Sequence, residues 1–363
     1  MKVLHVINAF TGGGAEKMLH DTLINQKAQG IDVDVFLLSQ QNNHYLDNVK
    51  SAGVQVYIST YKSLYFPGHI KELREIMSGG YDIVHVHLFP ALYWVAFASL
   101  FIKSNLKLVY TEHSTHNRRR NKFYLKFIET FIYRQYKRIF CISEATEQNL
   151  HQWVSVSSRK TVVVPNGINL QDYTDAKPYS KSDLFSDVKE NDKFIVMVAR
   201  FSHQKDHETL IKSLNYLDSS YKVLLVGDGE KIEDARTLAS LEGVNKSVVF
   251  LGFREDIPQI LKTADIFVLS SHWEGFGLVA AEAMASSLPV LVSDLTGLRD
   301  VVGRQDMTFP PGDSEKLAKK IKTILLDDDK YNEHINYGLR RSRKFSIESM
   351  VSQLKKEYIH IQM

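Results

Sequence analysis

Cysteine is nearly absent from this 363-residue chain: Cys141 stands alone. One thiol cannot close an internal disulfide or supply a cysteine-ligated zinc or iron–sulfur site. It suits a reducing compartment. No Gly-Lys-Ser/Thr occurs anywhere, which excludes a phosphate-binding P-loop. The start, Met1 to Asn8, has too short an apolar run for a secretory signal and no small-residue cleavage pattern. Charge of one sign is lacking too, since 45 Lys/Arg face 42 Asp/Glu. Long hydrophobic runs are confined to one place. Residues 83–102 contain no Asp, Glu, Lys or Arg, a length that could span a bilayer. They also hold His85, His87 and Pro90, and divide into a strand ending near Leu88 and a helix from Ala91. A buried strand and helix is the reading adopted.

What is present is ordinary for a globular protein, with 44% hydrophobic and 24% charged residues, and a length that suggests two domains. Apolar, β-branched runs recur between helical spacers. The first group is Val3–Ile7, Val33–Leu38, Val54–Ile58, Ile83–Leu88, Leu106–Tyr110, Ile139–Ile142 and Thr161–Val164. The second is Phe194–Val198, Lys222–Val226, Val248–Leu251, Ile266–Leu269, Val290–Val292 and Met307–Phe309. Short continuous runs predict parallel strands buried on both faces, and their alternation with helices predicts doubly wound sheets. The repeat of the pattern predicts two Rossmann-like α/β domains, residues 1–168 and 169–345. The polar stretch Pro165–Lys193 marks the boundary, and 346–363 forms a terminal helix that packs back toward the first domain. Ligands of such sheets sit at the carboxyl ends of strands, which directs attention to a cleft between the domains.

Charge is unevenly spread. Residues 1–170 carry a net +7 and the remainder a net −4, and 118–138 alone hold 8 basic residues against the single acid Glu129. These cations interleave with Phe123, Tyr124, Phe127, Phe131, Tyr133 and Tyr136. A nucleic-acid groove, an anionic membrane surface and a core helix with a solvated basic face all fit that pattern.

Several loops carry chemistry. Thr11-Gly12-Gly13-Gly14-Ala15-Glu16-Lys17 follows the first strand, where glycines let a backbone approach an anion at a helix N-terminus. A dinucleotide fingerprint needs a third glycine where Lys17 stands, so a nicotinamide dehydrogenase is excluded. Trp273 to Ala285 places Glu274 and Glu282 on either side of a glycine-rich turn that opens an alanine-rich helix. Eight helical residues span ~12 Å. Hydroxyl acceptors at both ends with an anion site between suit a nucleotide-sugar, although two solvated acids around a tight corner give the same pattern. Arg200 at a strand end and Lys205 beyond it could clamp two phosphates. Gly227-Asp228-Gly229 and Asn166-Gly167 read as close turns. Asp32 and Asp34 open a strand and make a poor metal site. His85 and His87 share a strand face and read as core or cleft histidines.

Taken together, these motifs make the chain resemble glycosyltransferase family 4, the retaining enzymes of GT-B fold. The resemblance runs along nearly the whole length. It rests on Gly12–Glu16, Thr111-Glu112-His113, Val164–Ile168, Arg200 with Lys205, Gly227–Gly229 and above all Glu274 to Glu282. Ser287, Thr296 and Asp300 depart from it, standing where glycine, glycine and Glu are usual. The resemblance implies that Glu282 holds the donor ribose, Glu274 faces the transferred sugar, and Arg200 and Lys205 neutralise the diphosphate. Backbone groups of Phe276, Gly277, Leu278 and Val279 would bind sugar and phosphate. His113 and Asn166 would lie beside the donor, Gly13, Gly14 and Gly227 would approach it, and Phe253 and Asp256 would border the base. It further implies no metal and no cofactor, a nucleotide-sugar donor (UDP-linked by preference) and a glycan or polyprenyl-diphosphate-linked acceptor of bacterial surface polysaccharide. An anionic membrane surface contacted by 118–138 follows, with no nucleic acid as partner and a place at the cytoplasmic membrane face. A non-catalytic GT-B subunit and a nucleotide-sugar epimerase are the alternatives.

Overall fold

The computed structural model describes residues 1–11, 13–41, 43–102, 105–114 and 118–363, with residues 118 and 121 described by backbone alone. The chain forms two compact units, Met1–Ile168 joined by Ile347–Met363, and Asn169–Ser346.

The first unit is built on β1 (Lys2–Ile7), β2 (Asp32–Leu37), β3 (Gln55–Ile58), β4 (Ile83–His87), β5 (Lys107–Glu112), β6 (Arg138–Cys141) and β7 (Thr161–Val163). All pair in parallel, in the order β3-β2-β1-β4-β5-β6-β7. The helices that bear on the site here are α1 (Gly14–Ala28), α2 (Ala91–Ser99) and α3 (Leu125–Gln135). One sheet face is apolar, with Leu4, Val6, Val84, Val86 and Tyr110 packed into a core that α2 covers through Leu92 and Val95. The uncharged stretch 83–102 is therefore strand plus buried helix. Among the described residues no helix is long and apolar enough to cross a membrane.

The second unit carries β8 (Lys193–Val198), β9 (Tyr221–Val226), β10 (Val248–Gly252), β11 (Ile266–Leu269), β12 (Val290–Ser293) and β13 (Thr308–Phe309). These are parallel in the order β10-β9-β8-β11-β12-β13. In both sheets the strand order reverses beside the first strand, between β1 and β4 and between β8 and β11. That reversal leaves a crevice at the strands' carboxyl ends, where ligands of doubly wound sheets bind. The helix α4 (Leu278–Ala285) starts just past β11. The last helix, α5 (Ile347–Gln362), belongs to the first unit and packs along α1.

Candidate functional site

In the second unit the predicted residues gather where β8 and β11 end. Lys205 and Glu274 are joined by a direct ion pair, both about seven-eighths buried, and a backbone bridge ties Lys205 to Ser271. Glu274 also accepts from the Gly275 N–H at 3.1 Å. Gly277 then caps α4 in the left-handed region, with φ +82°. A side chain there would be strained by that φ and would press a Cβ to 2.4 Å from a Leu298 methyl, which favours glycine. The first-turn amides of α4, Leu278 and Val279 among them, are those a helix leaves without internal partners, and they favour an anion. Phe276 is buried edge-on against Phe345, and Glu282 is buried on α4 itself.

Arg200 is placed differently. Its side chain is 74% exposed and pairs with Glu230 at 3.2 Å. Gly227 has a structural reason to be glycine, since a Cβ would meet the Ala199 carbonyl at 2.1 Å. Phe253 is half exposed. Asp256 is tied to Arg254 and to the Tyr179 hydroxyl at 2.6 Å, and the Arg254 guanidinium holds its carboxyl at about 2.

In the first unit, Gly13 precedes α1 with extended backbone. The Glu16 carboxylate folds back over it, so α1 carries its own anion at its N-terminus. Burial pushes the Glu16 carboxyl up, opposed by hydrogen bonds from the Gly13 amide and Thr11. Gly12 lies outside the described residues. Asn166 is buried beside His85, His87 and Thr111, around a void scarcely able to take one water.

The opposite face of the first sheet holds a polar cluster among buried apolar residues such as Val3, Val35 and Val109. His5 on β1 and His85 and His87 on β4 are all fully buried, with β1 and β4 in register at His5 and His85. His5 reaches Gln26 of α1 at 2.9 Å and His87 at 3.0 Å. His87 reaches His113 at 3.2 Å. His85 meets the Tyr358 hydroxyl of α5 at 2.5 Å and Thr111 at 2.7 Å. Burial lowers the His5 and His113 rings to about 4 and puts His85 and His87 well below the usual range, so all four are neutral near pH 7. Ligating atoms of His5, His85 and His87 lie within 4.8 Å of one another. His5, Gln26 and Tyr358 escaped the sequence reading. The signal for His5 was its strand position, which sets it across from the alternating His85 and His87.

The basic segment needs a correction. Arg119 and Arg120 turn inward, Arg119 to the fully buried Glu129 at 2.5 Å and Arg120 to Glu112 at 3.5 Å. Arg138 pairs with Glu357 of α5 at 2.8 Å. The exposed residues of the segment are instead Lys122, Phe123, Tyr124, Lys126, Phe127, Ile128, Phe131, Arg134 and Lys137. Arg118's side chain lies outside the described residues.

Known proteins match this arrangement. The model of "Glycosyltransferase Family 4" matches residues 12–172, and that of "Glycosyl transferases group 1" matches 181–341. An Escherichia coli UDP-Gal:α-D-GlcNAc-diphosphoundecaprenol α-1,3-galactosyltransferase is 30% identical over 63% of this chain and 63% of its own. A Campylobacter jejuni diphospho-undecaprenol 4-α-N-acetylgalactosaminyltransferase is 25% identical over 61% of this chain and 59% of its own. The chain thus aligns with about three-fifths of each of these relatives. A crystal structure of Anabaena HepE in complex with UDP and glucose superposes with a TM-score of 0.85 at 22% identity, over 98% of this chain and 99% of that one. The fold of both units is that of the GT-B glycosyltransferases.

Proposed function

The chain belongs to glycosyltransferase family 4, and from that premise we propose that it moves a hexose or N-acetylhexosamine from a UDP-sugar to a lipid-diphosphate-linked or glycan acceptor of surface polysaccharide. Transfer proceeds with retention and without a metal ion. The observation that carries this reading is the Lys205–Glu274 pair at the mouth of the Gly277-capped helix. Breaking a sugar–phosphate bond leaves negative charge on the diphosphate and positive character on the ring. Lys205 and the first-turn amides of α4 favour the first charge, and Glu274 beside them serves the second. Arg200, exposed and paired with Glu230, is available to join Lys205 on the diphosphate. Glu282 takes the ribose hydroxyls. An anion at the N-terminus of α1 would have to displace the Glu16 carboxylate that folds over Gly13. The relatives' own acceptors are diphosphoundecaprenol-linked, which supports a lipid-linked acceptor here.

Calorimetric titration with UDP tests the orientation. Glu282→Ala should weaken UDP about tenfold or more, the loss of a charge-assisted hydrogen bond, whereas Glu274→Ala spares UDP and harms transfer. Equal losses of UDP affinity in both variants reject it.

We propose in addition that α3 and the turn before it dock on an anionic membrane at its cytoplasmic face, through Phe123, Phe127, Lys122 and Lys126. Replacing both phenylalanines by serine should cut co-sedimentation with acidic vesicles at least tenfold, since each buried Phe is worth roughly 1.5–3 kcal/mol. Unchanged binding rejects that face.

A further inference from the structure

The loop that leaves β3 is anchored at several points. Glu72, on the helix His69–Met77, accepts from the Ser59 hydroxyl at 2.6 Å and from the Thr60 amide at 3.0 Å. The His69 Nε2–H donates to the Ser63 carbonyl at 2.9 Å, and the Trp94 Nε1–H of α2 donates to the Leu64 carbonyl at 2.8 Å. What these anchors hold up is Tyr65 and Phe66, 63% and 47% exposed. An exposed aromatic standing singly would need no account, but Tyr65 is not single. Its ring lies 6.0 Å from that of Phe89, on the loop that leaves β4, and Phe89 lies 5.1 Å from Tyr93 of α2. The Arg119 guanidinium sits over the Phe89 ring at 4.1 Å. Its charge is met by Glu129, which also takes the Tyr93 hydroxyl at 3.0 Å. Both loops leave the carboxyl ends of their strands, the side of a doubly wound sheet where ligands bind.

We infer that Tyr65, backed by Phe89 and Tyr93, is a stacking surface for a pyranose ring of the glycan acceptor. The surface lies wholly within the first unit. That the sugar is the acceptor's rests on the proposed function; that a sugar binds does not. One face of a pyranose presents C–H groups and its rim presents hydroxyls. An exposed aromatic ring matches the first and leaves the second in water. Of the parts of a lipid-diphosphate-linked glycan, the sugar fits this surface best. A diphosphate calls for converging cations. Arg119 is engaged by Glu129 and Phe89, and Lys62, exposed on the same loop, offers one charge. A prenyl chain calls for an enclosed apolar groove or the bilayer itself, whereas Tyr65 stands largely open to water.

The test is saturation-transfer-difference NMR on the full chain, with the methyl glycosides of N-acetylglucosamine, galactose and glucose as probes. At least one should take up saturation, most strongly on the C–H protons of one ring face. Tyr65→Ala should lower its affinity about fivefold or more, the loss of one ring stack. Tyr65→Phe, which keeps the ring, should hold it within about twofold, and Lys62→Ser should leave it unchanged. Tyr65→Leu, apolar but without a ring, replaces the alanine variant if that one fails to fold. Farnesol and inorganic pyrophosphate are the competitors for the prenyl and diphosphate alternatives, and neither should displace the glycoside. Absence of saturation on every glycoside overturns the inference. So do equal affinity in the folded alanine or leucine variant, and displacement by either competitor. These measurements need no donor. UDP-glucose, UDP-galactose and UDP-N-acetylglucosamine are the donor probes for turnover. On whichever the unaltered chain uses, the folded Tyr65 variant should raise the acceptor KM about fivefold and keep UDP affinity within about twofold. An unchanged acceptor KM beside lost glycoside binding overturns the acceptor assignment. A chain that binds glycoside through Tyr65 but binds no UDP refutes the donor site and leaves the stacking surface standing.

Discussion

The two sheets share one strand order about the reversal but fill their central strands differently. In the second, β8 and β11 present Ile195, Val196, Met197, Phe267 and Val268, all apolar and fully buried. In the first, the matching strands carry His5, His85 and His87. The same topology therefore tolerates an oily centre or a polar one, provided the polar one is completely paired. The difference is one of strategy. The second unit carries its charges on the loops after the strands, at Arg200, Lys205 and Glu274. The first carries polarity inside the strands and passes it outward to His113.

Acid should separate the two units most strongly. Burial lowers His5, His85, His87 and His113 in the first unit, and His207 and His334 in the second. Such a ring stays neutral in the folded state while the unfolded chain takes up its proton. Stability is therefore unaffected above about pH 6.5 and falls as pH drops from there toward 4, by up to ~1.4 kcal/mol per pH unit for each ring. Glu16 and Glu112, whose carboxyls burial pushes up, act in the opposite sense near their own lower range. Urea unfolding at pH 7.5 and 5.5 should show the first unit, followed by Trp94 and Trp153, shifting more than the second, followed by Trp273. Equal shifts contradict the contrast.

A polar group moved into the other sheet should cost less than that, but still heavily. Val196→His puts an imidazole where no partner waits, and about 3 kcal/mol should be lost from the second unit in a urea melt. A loss under ~1 kcal/mol would show that the second centre accepts polarity as readily as the first.

The smallest effect concerns Ser287. It lies past the end of α4 in the left-handed region, φ +64°, with its N–H bonded back to the Met284 carbonyl. Glycine adopts that conformation without the Cβ clash, so Ser287→Gly should stabilise the second unit by ~1 kcal/mol. No gain on a thermal melt would mean the serine makes up the strain elsewhere.

Ser287 also shows where reading the sequence reaches its limit. All thirteen predicted strands are present, because a short β-branched run buried on both faces has few other solutions. Lys205 and Glu274, which the structure pairs, lie on the loops that leave β8 and β11. The run of cations at 118–138 reads as a surface feature, yet Arg119 and Arg120 turn inward. Their partners, Glu129 and Glu112, come from other elements, and local charge counting cannot see them. His5 was passed over as one polar residue in an apolar strand. Its meaning appears only when β4 lies beside it.

The return of α5 to the first unit sets the order in which a nascent chain can finish folding. Residues 169–346 are contiguous and can close as soon as they emerge from the ribosome. The first unit, though begun first, waits for Ile347–Met363 to cover α1 and to bring Tyr358 to His85. Until then the histidine cluster lacks the Tyr358 hydroxyl beside His85. A chain cut after Ser346 keeps all of the second unit and lacks part of the first.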